Sequence, residues 1–524
     1  MSTDGDPGLR RPAGAADRLL AAMLREPAGH VTPSLYETAR LVSLSPWLAG
    51  HAERVDYLLR SQRADGGWGP PEGYAVVPTA SATEALLAVL YTSSGSEALI
   101  RAADRGLQAL TRLLRAGPPT PDTPAVDLIV PALIAAINGH LSRPDIPAGL
   151  RHWRAYPRLG LPSGMDGRRL SAVRRLVAAG GAVPDKLLHA LEVVGPSARD
   201  AGGVPPSSAG LVGASPAATA AWLGPDEVHH HLRSCLEAVV ERHGGPVPCA
   251  TPITVFERAW VVGTLTRAGF AVPASPDLVG SLTAQFTPAG TPAGPGLPAD
   301  ADTTSVALYA LARLGVPTDL DCLWRYEVPD GFCTWPGEDG FSVTTNAHVL
   351  DALGHHVRAG RGATRRHRAA ALRVVSALVA RQETDGSWRD RWHASAYYAT
   401  VCCVLALSEF DSQGVVPQAL ARAVGWVLAT QHPDGSWGRW GGTPEETAYA
   451  VQILAVAGRH PDVAHAVRRG YAYLAASGDE EGPALWHDKD LYRPTLIVDA
   501  AVFAAQRLAQ LAVGAEPAAR SVAV

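Results

Sequence analysis

Two carboxylates stand two positions apart in LPADADTTSVALYALARLG, residues 297–315: Asp300 and Asp302, at the mouth of an apolar helical run. No Lys, Arg or His occurs from 268 to 312, so no basic residue nearby in sequence neutralises them. Coupled carboxyls resist double ionisation because the first charge opposes the second, and burial adds to the opposition. A helix N-terminus pulls the other way: it favours the anion and makes the acid stronger. Together these forces describe a carboxyl that is protonated at rest yet willing to release its proton. The same Asp-Thr-Thr-Ser string is also a sound helix cap ahead of Val306, Leu308 and Leu311, and both roles stay open on these residues alone.

Few substrates need so strong a donor. An isolated carbon–carbon double bond does, being far less basic than an amide, ester or glycosidic oxygen. The resulting carbocation needs a dry pocket lined by aromatic faces, with no nucleophile in reach. Aromatic residues do follow the acids, among them Trp324, Tyr326, Phe332, Trp335, Trp392 and Tyr398. A glycosidase would instead need two opposed carboxylates at least ~5 Å apart, which two acids at one helix start do not present.

The elements that must position these groups are helices. Segments such as 371–382 and 418–431 carry apolar residues at helical spacing, for example Leu420, Val424, Val427 and Leu428. Both end in the same signal, QxxxGxW, at Gln382–Trp388 and Gln431–Trp437, and a third copy lies far upstream at Gln62–Trp68. Asp-Gly supplies a turn with positive φ, the Trp packs back, and the Gln satisfies free backbone groups. The two downstream copies recur at the period of a helical hairpin, and hairpins that close on themselves make an α/α barrel. A Pro/Gly-rich stretch, 287–299, forms a linker or rim directly before the acids.

At 524 residues the chain is expected to form two domains. With 46 basic against 50 acidic residues it lacks the positive footprint of a nucleic-acid binder. Six scattered cysteines without a CxxC pair suggest neither a disulfide framework nor a zinc site, and a reducing cytoplasm is expected. The first residues lack a signal-peptide core and no later run approaches a membrane span, so no integral membrane association is expected. The tail after about 512 is expected to fray.

QxxxGxW repeats together with a DxDD-like element resemble the class II terpene cyclases, the group that includes squalene-hopene cyclases and copalyl diphosphate synthases. PDKLLHALEVVG (184–195) resembles that family's LLHSLEG element, and GGPVPCATPITVFERAW (244–260) resembles GGVPNVYPVDLFERLW. The resemblance implies an all-α fold of two α/α barrels, with a β domain of residues 1–30 and 273–524 and an inserted γ domain of 31–272. It implies Asp302 as proton donor and Asp300 as its hydrogen-bond partner. The last Asp of DxDD is Thr303 here, so returning a proton to the acid must rely on water, Thr or other neighbours. Beside the acid the family places an Asn, for which the chain offers Asn346 or His348.

His189 falls on the LLHS histidine, which in some plant members pairs with an Asn to guide final deprotonation; here that Asn is Cys249. Trp335, Tyr326 and Phe332 are expected to meet the substrate together with His189 and Arg169, and Asp127 is expected as a ligand for Mg2+. Lys489 and Arg493 are further cations without an assigned role. No DDxxD occurs, so the diphosphate should survive the reaction. The expected reaction is protonation and cyclisation of a linear prenyl diphosphate. The DxDTTS variant resembles bacterial drimenyl diphosphate synthases acting on farnesyl diphosphate; geranylgeranyl diphosphate giving a copalyl-type diphosphate is the alternative. A non-catalytic α/α-barrel binding module is the alternative from another class.

Overall fold

The computed structural model describes residues 12–514, apart from 93–95, 226, 227, 339, 361, 411–413, 459 and 479–481. The tail beyond 514 lies outside the described residues. Among the described residues helices build nearly everything, and four strands form two short hairpins, Glu327–Val328 with Gly331–Phe332 and Trp486–His487 with Leu491–Tyr492.

Six helices close a ring: Thr254–Arg267, Ala301–Arg313, Val343–Ala359, Ala396–Phe410, Pro444–Ala457 and Thr495–Gly514, each packed on the next and the last on the first. Most of these inner helices are buried almost all round, as Ala396–Phe410 illustrates with Tyr397 through Leu407 out of solvent, whereas less than half of Thr495–Ala512 is buried. Outer helices such as Arg365–Ala380 and Val416–Ala429 bury one face only, as one-sided apolar spacing requires. A second ring runs through Leu35–Leu44, Val76–Thr92, Val126–Leu141, the 3-10 segment Leu191–Ala198 and Pro216–Leu223, and returns to Leu35–Leu44. The molecule is thus two α/α barrels. Helix Pro12–Arg25 packs on the larger ring although the smaller barrel separates it in sequence from its partners.

The seam between them falls earlier than the sequence suggests. Residues 31–272 are expected in the inserted unit, but Cys249 to Leu265 pack into the larger core with Ala16–Val31 and Leu278–Ala509, while the smaller core ends at Val247. The reason is topological: without Thr254–Arg267 the ring of six has a gap between Thr495–Gly514 and Ala301–Arg313. A second expectation also changes. Glu72–Thr92 and Thr495–Ala512 are long and apolar enough to cross a membrane, but the first is almost wholly buried in the smaller core and the second is a ring member of the larger.

The three QxxxGxW copies do one job with one geometry. Gln62, Gln382 and Gln431 each donate from Nε2 to the Gly carbonyl of their own turn and to a carbonyl of the next outer helix, Ala102, Ala419 and Ala466, at 2.8–3.0 Å. Trp68, Trp388 and Trp437 are fully buried and donate 2.7 Å bonds to Leu58, Leu378 and Val427 carbonyls. The glycine must be Gly: at Gly386, φ is +98° and a Cβ would stand 2.5 Å from the Arg422 carbonyl oxygen. Each copy therefore clamps an outer helix to its successor. Trp388→Ala removes both the buried indole and its bond, and should cost about 3–5 kcal/mol of stability in urea denaturation.

Candidate active site

The Pro/Gly-rich rim ends at Asp300, which is extended (φ −139°) and caps helix Ala301–Arg313 by accepting 2.6 Å from the Thr303 amide. Asp302 therefore sits in the first helical turn, not at the cap. Its Oδ1 lies 2.7 Å from Nδ1 of His348 on the adjacent ring helix. That helix is fixed at its start by the Ser342 cap and by Asp390, which accepts from the Val343 amide at 2.6 Å and the Thr344 hydroxyl at 2.7 Å. The sequence offered Asn346 or His348 beside the acid, and the structure places His348 there. Asn346, two residues earlier, faces elsewhere: it accepts from the Phe332 amide at 2.9 Å and donates to the Phe332 and Ser342 carbonyls at 2.8 Å. It braces the first hairpin.

Burial, and then the charge of Asp302, push the Asp300 carboxyl up to about 7. Burial disfavours a charged His348, but Asp302 beside it outweighs burial and holds the imidazole pKa above its ordinary value. Asp302 is thus flanked by two groups able to hold a proton near neutrality. The sequence reading makes Asp302 the donor, and its buried neighbour Asp300 is a carboxyl pushed up beside it.

Aromatic rings surround the pair. Trp260 meets His348 edge-on at 5.2 Å and donates to the Tyr398 hydroxyl at 2.9 Å. Tyr398 packs on Trp486 at 4.5 Å and Tyr449 at 5.5 Å, and Phe256 joins Trp260 at 4.5 Å. Trp260, Phe256, Tyr449 and Trp486 were not singled out from sequence; the spacing of Phe256 and Trp260, one helical turn apart, was the available signal. Of the residues expected to meet substrate, Tyr326 and Phe332 are 1% and 0% exposed and present no surface to a cavity; Tyr326 donates to the Ala289 carbonyl at 2.5 Å. Trp335 is half-buried at the junction of the barrels, edge-on to Trp392 at 5.4 Å and with the Lys186 ammonium 4.6 Å from its ring centre.

The remaining candidates lie along the seam or on the smaller barrel. His189 Nδ1 is 2.6 Å from the Gly213 carbonyl and Nε2 is 2.9 Å from Asp488 Oδ1. A carbonyl only accepts, so Nδ1 carries a proton. Burial opposes a second proton, but Asp488 favours it and raises His189, while His189 outweighs burial at Asp488 and lowers that carboxyl to about 2. His189 is a strut between barrels, with both ring nitrogens in contact. Lys489 is completely buried and bonded to Glu37, to Glu192 at 3.1 Å and to Ser215 at 2.8 Å; burial opposes its charge, but Glu192, Glu37 and Asp488 raise its pKa. Arg493 is paired with Asp499 at 3.2 Å.

Arg169 and Asp127 find each other, Nη1 to Oδ2 at 2.7 Å, in a pair whose arginine side chain is 80% exposed. No group of three or more His, Cys, Asp or Glu side chains able to hold a metal ion occurs among the described residues. Magnesium keeps most of its waters and takes one or two carboxylates plus substrate phosphates. One carboxylate beside an arginine fits an ion carried by a diphosphate, not a protein cage.

A pair of α/α barrels with a two-aspartate acid at the start of a ring helix is the architecture of protonation-dependent cyclases, and the chain belongs to the class II terpene cyclases. Residues 339–495 match the squalene-hopene cyclase C-terminal domain. Across almost its whole length the chain is similar to bacterial copalyl diphosphate synthases: it is 44% identical over 507 residues to the ent-copalyl diphosphate synthase of Streptomyces sp. (strain KO-3988), covering 95% of this chain and 96% of that one. It is 41% identical to the labda-7,13-dienyl diphosphate synthase of Streptomyces clavuligerus, covering 96% and 94%. The solved ent-copalyl diphosphate synthase from Streptomyces platensis superposes with a TM-score of 0.90 at 43% identity, covering 95% of this chain and 99% of that one.

Two measurements check the electrostatics. A protonated-carboxyl infrared band should fade as pH rises through about 7, because a raised carboxyl is protonated below its pKa and ionised above it. Burial also pushes Glu37 up to about 7, so the parent-minus-variant difference spectrum of Asp300→Asn isolates the Asp300 component, and a difference spectrum with no such component would remove the assignment. Lys489→Met leaves Glu37 and Glu192 buried without their cation, and should lower stability by about 3–5 kcal/mol in chemical denaturation.

Proposed function

We propose that this protein cyclises geranylgeranyl diphosphate to a copalyl-type bicyclic diphosphate, with Asp302 protonating the terminal alkene. The observation that carries this reading is the Asp302–His348 contact, set beside a buried Asp300, in a chain whose full-length relatives are named copalyl diphosphate synthases. Those relatives favour the diterpene substrate over the farnesyl reading taken from the DxDTTS string.

A folded polyene placed with its terminal alkene at Asp302 receives the proton on one carbon. Successive alkenes then attack the cation to make a decalin, and loss of a proton ends the cascade. Preorganising the chain supplies roughly 7–11 kcal/mol when reacting carbons are held in near-attack geometry. The faces of Trp260, Tyr398, Tyr449 and Trp486 shield positive charge without offering a nucleophile. His189 has both ring nitrogens engaged, by the Gly213 carbonyl and by Asp488. Magnesium, when bound, would neutralise diphosphate charge, with Asp127 as its protein carboxylate and Arg169 as the neighbouring cation.

The test is incubation of purified protein with geranylgeranyl or farnesyl diphosphate and magnesium, followed by dephosphorylation and analysis of the extract. A bicyclic C20 alcohol is expected, and Asp302→Asn should reduce its formation by at least ~10³-fold. Bicyclic C15 product alone would restore the farnesyl reading. No cyclised product from either chain length would favour a non-catalytic binding module.

A further inference from the structure

The cascade proposed above starts by making two charges, a cation on the chain and a carboxylate at Asp302. Opposite charges attract, so the cation is held beside the acid it came from unless a second anion draws it onward. The larger barrel carries such an anion.

In the ring of six, Pro444–Ala457 stands opposite Ala301–Arg313, three helices away in either direction. Each holds an acid in its first turn, Asp302 on one and Glu445 on the other. Glu445 is 2% exposed, and its Oε1 accepts from Trp486 Nε1 at 2.8 Å, from the Tyr449 hydroxyl at 3.0 Å and from His393 Nε2 at 3.0 Å. The Ser395 amide donates to His393 Nδ1 at 3.0 Å, so the proton aimed at Glu445 is the one on Nε2. The other oxygen, Oε2, is equally out of solvent and has no partner among the described residues.

The adjacent Glu446 shows what a purely structural acid does at this helix start. Both its oxygens are filled, by the Ser395 hydroxyl at 2.5 Å, the Arg439 amide at 2.8 Å and the Thr443 hydroxyl at 2.9 Å, and it closes the cap. Glu445 has a different set of partners. All three are aromatic rings, and no lysine or arginine bonds to it among the described residues. A carboxylate buried without a cation costs stability, and folding alone gives no reason to keep one here.

The rings bonded to Glu445 belong to the aromatic wall already described. Tyr398 packs on Trp486 at 4.5 Å, on His393 at 4.9 Å and on Tyr449 at 5.5 Å, and it accepts from Trp260, which meets His348 beside the acid. One unbroken run of rings thus leads from Asp302 to Glu445. Burial, then Cys249, Asp488, Glu445 and Asp302, hold the Tyr492 hydroxyl well above its ordinary pKa, so both acids act on one ring between them. A carboxylate that accepts from an indole N–H and a phenol O–H enriches those rings in electrons and adds its own charge behind them. Both effects favour a cation on the opposite faces.

Resting on the cyclase reading, we propose that Glu445 is a positioning residue whose charge, relayed through Trp486, Tyr449 and His393, draws the cation away from Asp302 and across the barrel as the rings close. No bond to Glu445 forms or breaks, and the substrate meets only the aromatic faces in front of it. The missing partner of the buried carboxylate is the cation itself, present only while the cascade runs.

Glu445→Gln keeps the shape and an oxygen for the three donors but removes the charge, whereas Glu445→Asp keeps the charge. The probes are two unreactive prenyl diphosphate analogues of the chain length that the parent cyclises, one with a protonated tertiary amine in place of a cationic carbon and one with carbon there. One unit charge at roughly 8 Å in a medium of effective dielectric about 20 amounts to about thirtyfold in affinity. By calorimetry, Glu445→Gln should lose about that factor for the ammonium analogue and stay within about threefold of the parent for the neutral one. Its kcat should fall by a similar factor while KM holds, and Glu445→Asp should recover most of the ammonium affinity. Equal affinity of parent and Glu445→Gln for the ammonium analogue would overturn the proposal, as would a parallel loss of both analogues, which is the mark of structural damage. A parent enzyme that yields no cyclised product at all would instead remove the reading of function on which the proposal rests.

Discussion

The 2.7 Å contact between Asp302 and His348 is the interaction on which the rest of the molecule depends. A carboxylate and an imidazole can be held this close out of solvent only if each is delivered by a rigid element and each compensates the other's burial. The ring of six helices provides the rigidity. Asp302 lies in a first turn whose free amides Asp300 helps to satisfy, and His348 lies in a helix whose start is fixed by Ser342 and Asp390. Displacing either helix by an ångström would leave a buried charge unpaired, so packing of the ring and chemistry of the acid are one constraint.

Two kinds of fastening keep that ring in place. QxxxGxW clamps tie outer helices to one another by a buried indole and a bidentate amide, and they recur with nearly identical distances in both barrels. The seam uses charge instead: Lys489 among Glu37, Glu192 and Ser215, the His189–Asp488 pair, and Asp490 accepting from Ser34 at 2.6 Å. Ion pairs this deeply buried contribute little net stability compared with apolar packing, but they tolerate one docking register and penalise any other.

What could be read from sequence was what is local. The acid pair, the glycine turns and the buried tryptophans announce themselves within seven residues of chain, and the structure keeps those residues where their spacing puts them. What required the fold was any choice made across elements. Asn346 and His348 are two residues apart, so they leave their helix about 200° apart, and only the position of helix Ala301–Arg313 decides which one meets Asp302. The barrel boundary was misplaced because Thr254–Arg267 follows the smaller barrel in sequence yet completes the larger ring in space. Arg169 and Asp127, read separately as a substrate cation and a metal ligand, form one surface pair across 42 positions of sequence that do not foretell it. His189 matched its motif, but the carboxylate it faces, Asp488, lies 299 positions away.

The insertion also orders events at the ribosome. Leu35–Leu44 through Pro216–Leu223 are contiguous, so the smaller barrel can complete its ring while synthesis is still under way. The larger one cannot: Pro12–Arg25 leaves the exit tunnel first and Thr495–Gly514, against which it packs, leaves last. The amphipathic helix Pro12–Arg25 must therefore stay uncommitted until Thr495–Gly514 has been made, sheltered by chaperones or by the finished neighbour, and the catalytic half of the molecule cannot close before then.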